Sequence, residues 1–202
     1  MAGRPNPPLK DWERTDKLNV ELIGYGWDER RVMVRFHLPK DRDPERIQTA
    51  LRYVGRDVKH SKNWTCEFCG KPSRETHVQT MFWHHLDPPR VIVYIHYVCD
   101  MDKPHVQAGL TEYHNMMDSV NQGHLGPMPD FPPPKPSGLV YPLAGSCACC
   151  ERDATAADTA DMKKCSKCKL TRYCGAECQK KDWPRHKVAC GQIYSVNFEN
   201  WV

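Results

Sequence analysis

Along the chain the apolar positions change period several times, and each change marks an element. In RVMVRFHL (31–38), Val32, Val34, Phe36 and Leu38 alternate with Met33, Arg35 and His37, which predicts a strand. VELIGYG (20–26) reads as a second strand, with WDER as a hairpin connection. Asp43-Pro44-Glu45 opens a helix, Asp43 serving as N-cap and Pro44 as its first residue. Ile47, Leu51 and Val54 follow at helical spacing, and Gly55 is expected to end the helix. A loop carrying Cys66 and Cys69 leads to a strand over 91–98. From Pro104 a second helix is expected, with Val106, Leu110, Tyr113, Met117 and Val120 on one face and Gly123 past its end. This order predicts a small α+β domain over 16–123.

Proline then changes the texture. PMPDFPPPKP (127–136) holds six prolines in ten residues, so 124–144 reads as a linker in extended polyproline II. Residues 1–15 are expected to form a flexible N-terminus, and 191–202 a C-terminal tail. The composition, 40% hydrophobic and 27% charged with a net charge of +4, suits a modest core. Eleven cysteines are an odd number, so complete pairing into disulfides is excluded. MAGRPNPPLKDWERT has no apolar stretch of the kind a secretory signal carries. The longest apolar run, VIVYIHYVC (91–99), falls short of the roughly 20 residues that span a bilayer. The expectation is an intracellular chain, nuclear or cytoplasmic, without a membrane partner, whose clustered thiols bind metal.

The thiols between 147 and 190 are regularly spaced. Cys147 and Cys150, then Cys165 and Cys168, are pairs with two residues between them; Cys174 and Cys178, then His186 and Cys190, are pairs with three between them. Each pair can turn both side chains to one point, and two pairs complete the tetrahedron of structural zinc. A redox pair needs one C-x-x-C, not four close pairs. Iron–sulfur clusters prefer cysteine alone. Eight ligands fill two closed sites and leave no coordination position for a catalytic water. Cys149 is surplus and reads as a free thiol. Large apolar residues in this stretch are few: Met162, Leu170, Tyr173, Trp183 and Val188. Ordering a backbone costs about 1–2 kcal/mol per residue, whereas zinc contributes about 10–16 kcal/mol in finger peptides. Metal is expected to replace the core here.

The order of ligands, Tyr173 before Cys174, and CQKKDWPRHKVAC resemble a MYND-type zinc finger. The fourteen residues between Cys150 and Cys165 make a longer gap than usual, which lengthens a loop without removing a ligand. The resemblance implies an interleaved arrangement that spacing alone does not show. Cys147, Cys150, Cys174 and Cys178 would hold one zinc, and Cys165, Cys168, His186 and Cys190 the other. It also implies a protein-interaction module that captures short proline-containing peptides. Gln179 and Trp183, at i and i+4 on an expected helix, would form one wall of the groove; packing of Trp183 over the zinc sites is the alternative. The N-terminal region resembles uncharacterised parts of fungal MYND proteins.

WTCEFCGK (64–71) repeats the knuckle, with Gly70 permitting the tight turn. Cys99 is the natural third ligand for a further zinc, and His105 is preferred over His96 as the fourth, with His84 and His85 as loop candidates. The competing reading is a cysteine trio without metal. The finger carries seven lysines and three arginines against six acids, but seven thiolates and two zinc ions lower its charge to about +1. A nucleic-acid module shows a strongly basic face, so protein recognition is expected ahead of nucleic-acid binding. No SET motif accompanies the finger, and no enzyme activity is expected.

Overall fold

The computed structural model describes residues 14–41, 43–83, 85–157 and 160–201. Almost all of the expected flexible N-terminus lies outside the described residues. The architecture is α+β.

The hairpin forms as the alternation predicts. Strands β1 (Lys17–Tyr25) and β2 (Arg31–Pro39) pair antiparallel from Lys17↔Pro39 to Tyr25↔Arg31. Asp28 and Glu29 turn the chain with φ of 61° and 53°. Helix α1 (Pro44–Lys59) starts where the Asp43 carboxylate accepts from the Glu45 backbone N–H at 3.0 Å. It runs through Gly55 instead of ending there, because Asp57 and Val58 are buried beyond the glycine. A helical glycine costs about 1 kcal/mol against alanine, while burying a valine returns about 1.5–3 kcal/mol.

Four strands arise where none was expected. The loop after Cys69 contains β3 (Glu75–Trp83), which pairs antiparallel with β4 (Arg90–Val98). After helix α2 (Pro104–Val120) come the short strands β5 (Lys163–Lys164) and β6 (Arg172–Tyr173), helix α3 (Ala176–Gln192) and strand β7 (Ile193–Glu199). The segment read as a tail is therefore an edge strand: β7 pairs antiparallel with β2. The sheet order is β3-β4-β1-β2-β7, with only β1 and β4 parallel.

One face of this sheet, with Leu18, Val20, Leu22, Val34, Phe36, Val93 and Ile95, forms the core under Ile47, Ala50, Val54 and Val58 of α1. Cys165, Cys168, Leu170, Ala189 and Cys190 belong to the same buried cluster. The finger thus adds to the main core, which explains how it manages with few apolar residues of its own.

The proline-rich segment, read as a spacer, is docked along the body. Met128 and Phe131 pack against Cys66, Val98, Val106 and Leu110. The Lys135 ammonium reaches Asp100 at 2.5 Å, Glu75 at 2.6 Å and Asp102 at 3.3 Å. Arg74 donates to the Tyr141 carbonyl at 2.7 Å. Among the described residues no helix is long and apolar enough to cross a membrane.

Candidate metal centres

Among the described residues three groups of four side chains converge, and they contain the twelve residues preferred as metal ligands from the sequence. They are Cys66, Cys69, Cys99 and His105; Cys147, Cys150, Cys174 and Cys178; and Cys165, Cys168, His186 and Cys190. In each group the ligand atoms lie within 4.8 Å of one another. Zinc–sulfur bonds of about 2.3 Å and zinc–nitrogen bonds of about 2.0–2.1 Å imply tetrahedral edges of about 3.8 Å between thiolates and about 3.6 Å from thiolate to imidazole. The observed edges match. Cys150–Cys174 and Cys165–Cys190 are both 3.9 Å, Cys174–Cys178 3.5 Å, and Cys168–His186 Nε2 3.7 Å. Cys69–Cys99 is 3.7 Å and Cys99–His105 Nε2 3.5 Å.

A single local device builds one side of every group. After each C-x-x-C, the next residue adopts positive φ: 70° at Gly70, 53° at Glu151 and 60° at Lys169. Its N–H donates back to the carbonyl of the first cysteine, at 2.9 Å to Cys66, 2.9 Å to Cys147 and 3.0 Å to Cys165. That turn aims both thiols at one point. Only one of the three knuckles uses glycine for it, so glycine alone is an incomplete signal.

Cys174 follows β6, and helix α3 supplies the other three ligands of the finger. Cys178 sits in its first turn and serves one group; His186 and Cys190, one turn apart, serve the other. The two groups are therefore interleaved. Residues 147–190 match the MYND finger family.

This stretch is a MYND finger.

The finger binds zinc, and the donor sets, four cysteines and three cysteines with one histidine, are those of closed structural sites. The chain is 40% identical over 62 residues to N-lysine methyltransferase SMYD2-A of Danio rerio, covering 31% of this chain and 13% of that protein. It is 42% identical over 55 residues to SMYD2 of Mus musculus, covering 27% and 11%. Against SMYD2 of Homo sapiens it is 50% identical over 40 residues, covering 20% and 9%. The likeness lies in the finger region, and the chain spans only about a tenth of each relative's length. No solved structure matches the chain.

The Cys165, Cys168, His186 and Cys190 group, all of it buried and so the inner of the two beside the outer Cys147 group, carries a feature that its own segment does not supply. Asp57, fully buried on α1, accepts from His186 Nδ1 at 2.8 Å and from Arg185 Nη2 at 2.7 Å. The carboxylate fixes the imidazole so that Nε2 faces the thiolates, the usual support of a zinc-binding histidine. Arg185 also binds Asp182 at 2.6 Å, and the Tyr173 hydroxyl donates to Asp182 at 2.8 Å. Burial alone would raise the Asp182 carboxyl, but Arg185 and Tyr173 hold it below the ordinary carboxylate range. Nothing in the residues 147–190 signals Asp57, because its partners lie 128 and 129 residues away.

The remaining candidates separate cleanly. His96 is buried and engages Glu67 at 2.7 Å, stacked on Tyr25, and takes no part in the Cys66 group. His84 lies outside the described residues. His85 is exposed and belongs to none of the three groups. Nor does Cys149. Burial, with His96 and His114 nearby, pulls neighbouring His77 down to about 4, so it is neutral at physiological pH.

Proposed function

We propose that the chain is a non-catalytic, zinc-dependent adaptor of the nucleus or cytoplasm whose finger recognises proline-containing peptides. The observation that carries this reading is Trp183. It stands on α3 with 42% of its surface exposed, while Asp182, His186, Ala189 and Cys190 of the same helix are buried. Its ring lies 6.0 Å from that of His186, so the same side chain borders the inner zinc group and presents a face to solvent. Gln179, one turn earlier and half-buried, continues that face. A rigid exposed aromatic suits an extended proline segment, which loses little entropy on docking. The metals support a structural role, since four protein donors fill each tetrahedron.

The test uses a peptide with the sequence of residues 136–142, PSGLVYP, in which leucine lies between prolines. Titration followed by tryptophan fluorescence is expected to show weak saturable binding. Trp183→Ala should weaken it about tenfold or more, as for an interface anchor, with zinc content intact. Equal peptide affinity in the variant would remove the groove reading. Binding to DNA or RNA that falls steeply with salt would favour a nucleic-acid partner instead.

A further inference from the structure

The Cys66 group lies outside the finger match, at a junction of three segments. The knuckle after α1 supplies two thiols, the end of β4 leads into Cys99, and the first turn of α2 supplies His105. The apolar group at this junction is small: Cys66, Val98, Val106 and Leu110 are buried, with Phe68 and Met101 packed beside them. Phe68 reaches across to α2 at Gly109, where a Cβ would lie 2.5 Å from its ring. A mid-helix glycine costs about 1 kcal/mol against alanine, and here it makes the room the knuckle needs.

Asp100 and Asp102 follow Cys99 directly, and both hold Lys135 of the proline-rich segment. Asp102 also accepts from the Lys135 backbone N–H at 3.0 Å. The turn between Cys99 and His105 is therefore bounded by two metal-type donors and carries two of the three carboxylates that seat the strap.

We propose that Cys66, Cys69, Cys99 and His105 bind a third zinc ion of their own, and that this ion sets the Asp100–Asp102 turn that clamps residues 127–136 through Lys135. The knuckle geometry equals that of the two finger sites, and the donor edges of 3.7 and 3.5 Å leave room for a tetrahedral ion. His105 is exposed, whereas all four residues of the inner finger group are buried. The third ion should therefore leave first under chelation.

Elemental analysis of the full chain is expected to give three zinc ions; two would overturn the site. Cys69→Ser should return two and speed hydrogen exchange at the Lys135 amide by about tenfold or more, the equivalent of a lost hydrogen bond and its local opening. Unchanged exchange in that variant would overturn the clamp. Gly109→Ala keeps every ligand but drives Phe68 from the knuckle, so it reports on the site if Cys69→Ser does not fold. Its expected signature is one zinc released ahead of the other two at a chelator concentration that leaves the wild type intact; release in step with the finger zincs would argue against a separate site. None of these readouts involves peptide binding at Trp183.

Discussion

Cys165→Ala is expected to cost the protein both finger zincs and to unfold the finger together with the part of the main core that it completes. Cys165, Cys168 and Cys190 lie in one buried cluster with Leu18, Phe36 and Val54, so the inner zinc group is part of the body's interior. Structural zinc contributes about 10–16 kcal/mol in finger peptides, which equals or exceeds the about 5–15 kcal/mol net stability of a whole domain. Because α3 carries ligands to both groups, a loosened helix releases the outer ion as well. Cys174→Ala should also unfold the finger but disturb the sheet less, since Cys147, Tyr173 and their neighbours form a cluster separate from the main one. Cys149→Ala should leave metal and folding unchanged. Zinc content and thermal unfolding check all three; cooperative unfolding of Cys165→Ala near the wild-type temperature would contradict the shared core.

Asp57→Ala is expected to weaken the inner zinc site by about 10–100-fold, the usual cost of losing a partner that orients a metal-binding histidine, while the outer site keeps its affinity. Overall stability should fall by about 3–5 kcal/mol, as when one member of a buried charged pair is removed. Arg185 keeps Asp182 and the Tyr53 carbonyl, so the damage concentrates on His186. Asp57→Asn preserves shape and one acceptor, and its loss should be smaller. Chelator competition resolves the two sites; equal weakening of both would show that Asp57 acts on the finger as a whole.

The metal-ligand pairs were almost wholly legible in the sequence because their signal is local, whereas which pairs share an ion was implied only by the resemblance to MYND fingers. Four close pairs and one knuckle announce themselves through spacing, and Cys99 and His105 are joined to that knuckle by a strand end and a helix start. What the sequence concealed depends on distant partners. In β3 and β7 most side chains are half-buried on both faces, so Thr76, Val78 and Thr80, or Tyr194 and Val196, lack the contrast that marks β2. Gly55 looked like a helix end because only the burial of Asp57 and Val58 against the rest of the fold shows why the helix continues. Val120, expected on the apolar face of α2, is 73% exposed at the helix end.

The place of β7 in the sheet sets an order of events during synthesis. β2 is made early and β7 only after all eight finger ligands, yet the two are neighbours. Until then the outer backbone groups of β2 present an open template for another strand. A ribosome translating this chain in a zinc-poor cell would release it with the finger unfolded and β7 unpositioned. Metal supply would then decide between a sheet closed by its own last strand and one closed by a neighbouring chain.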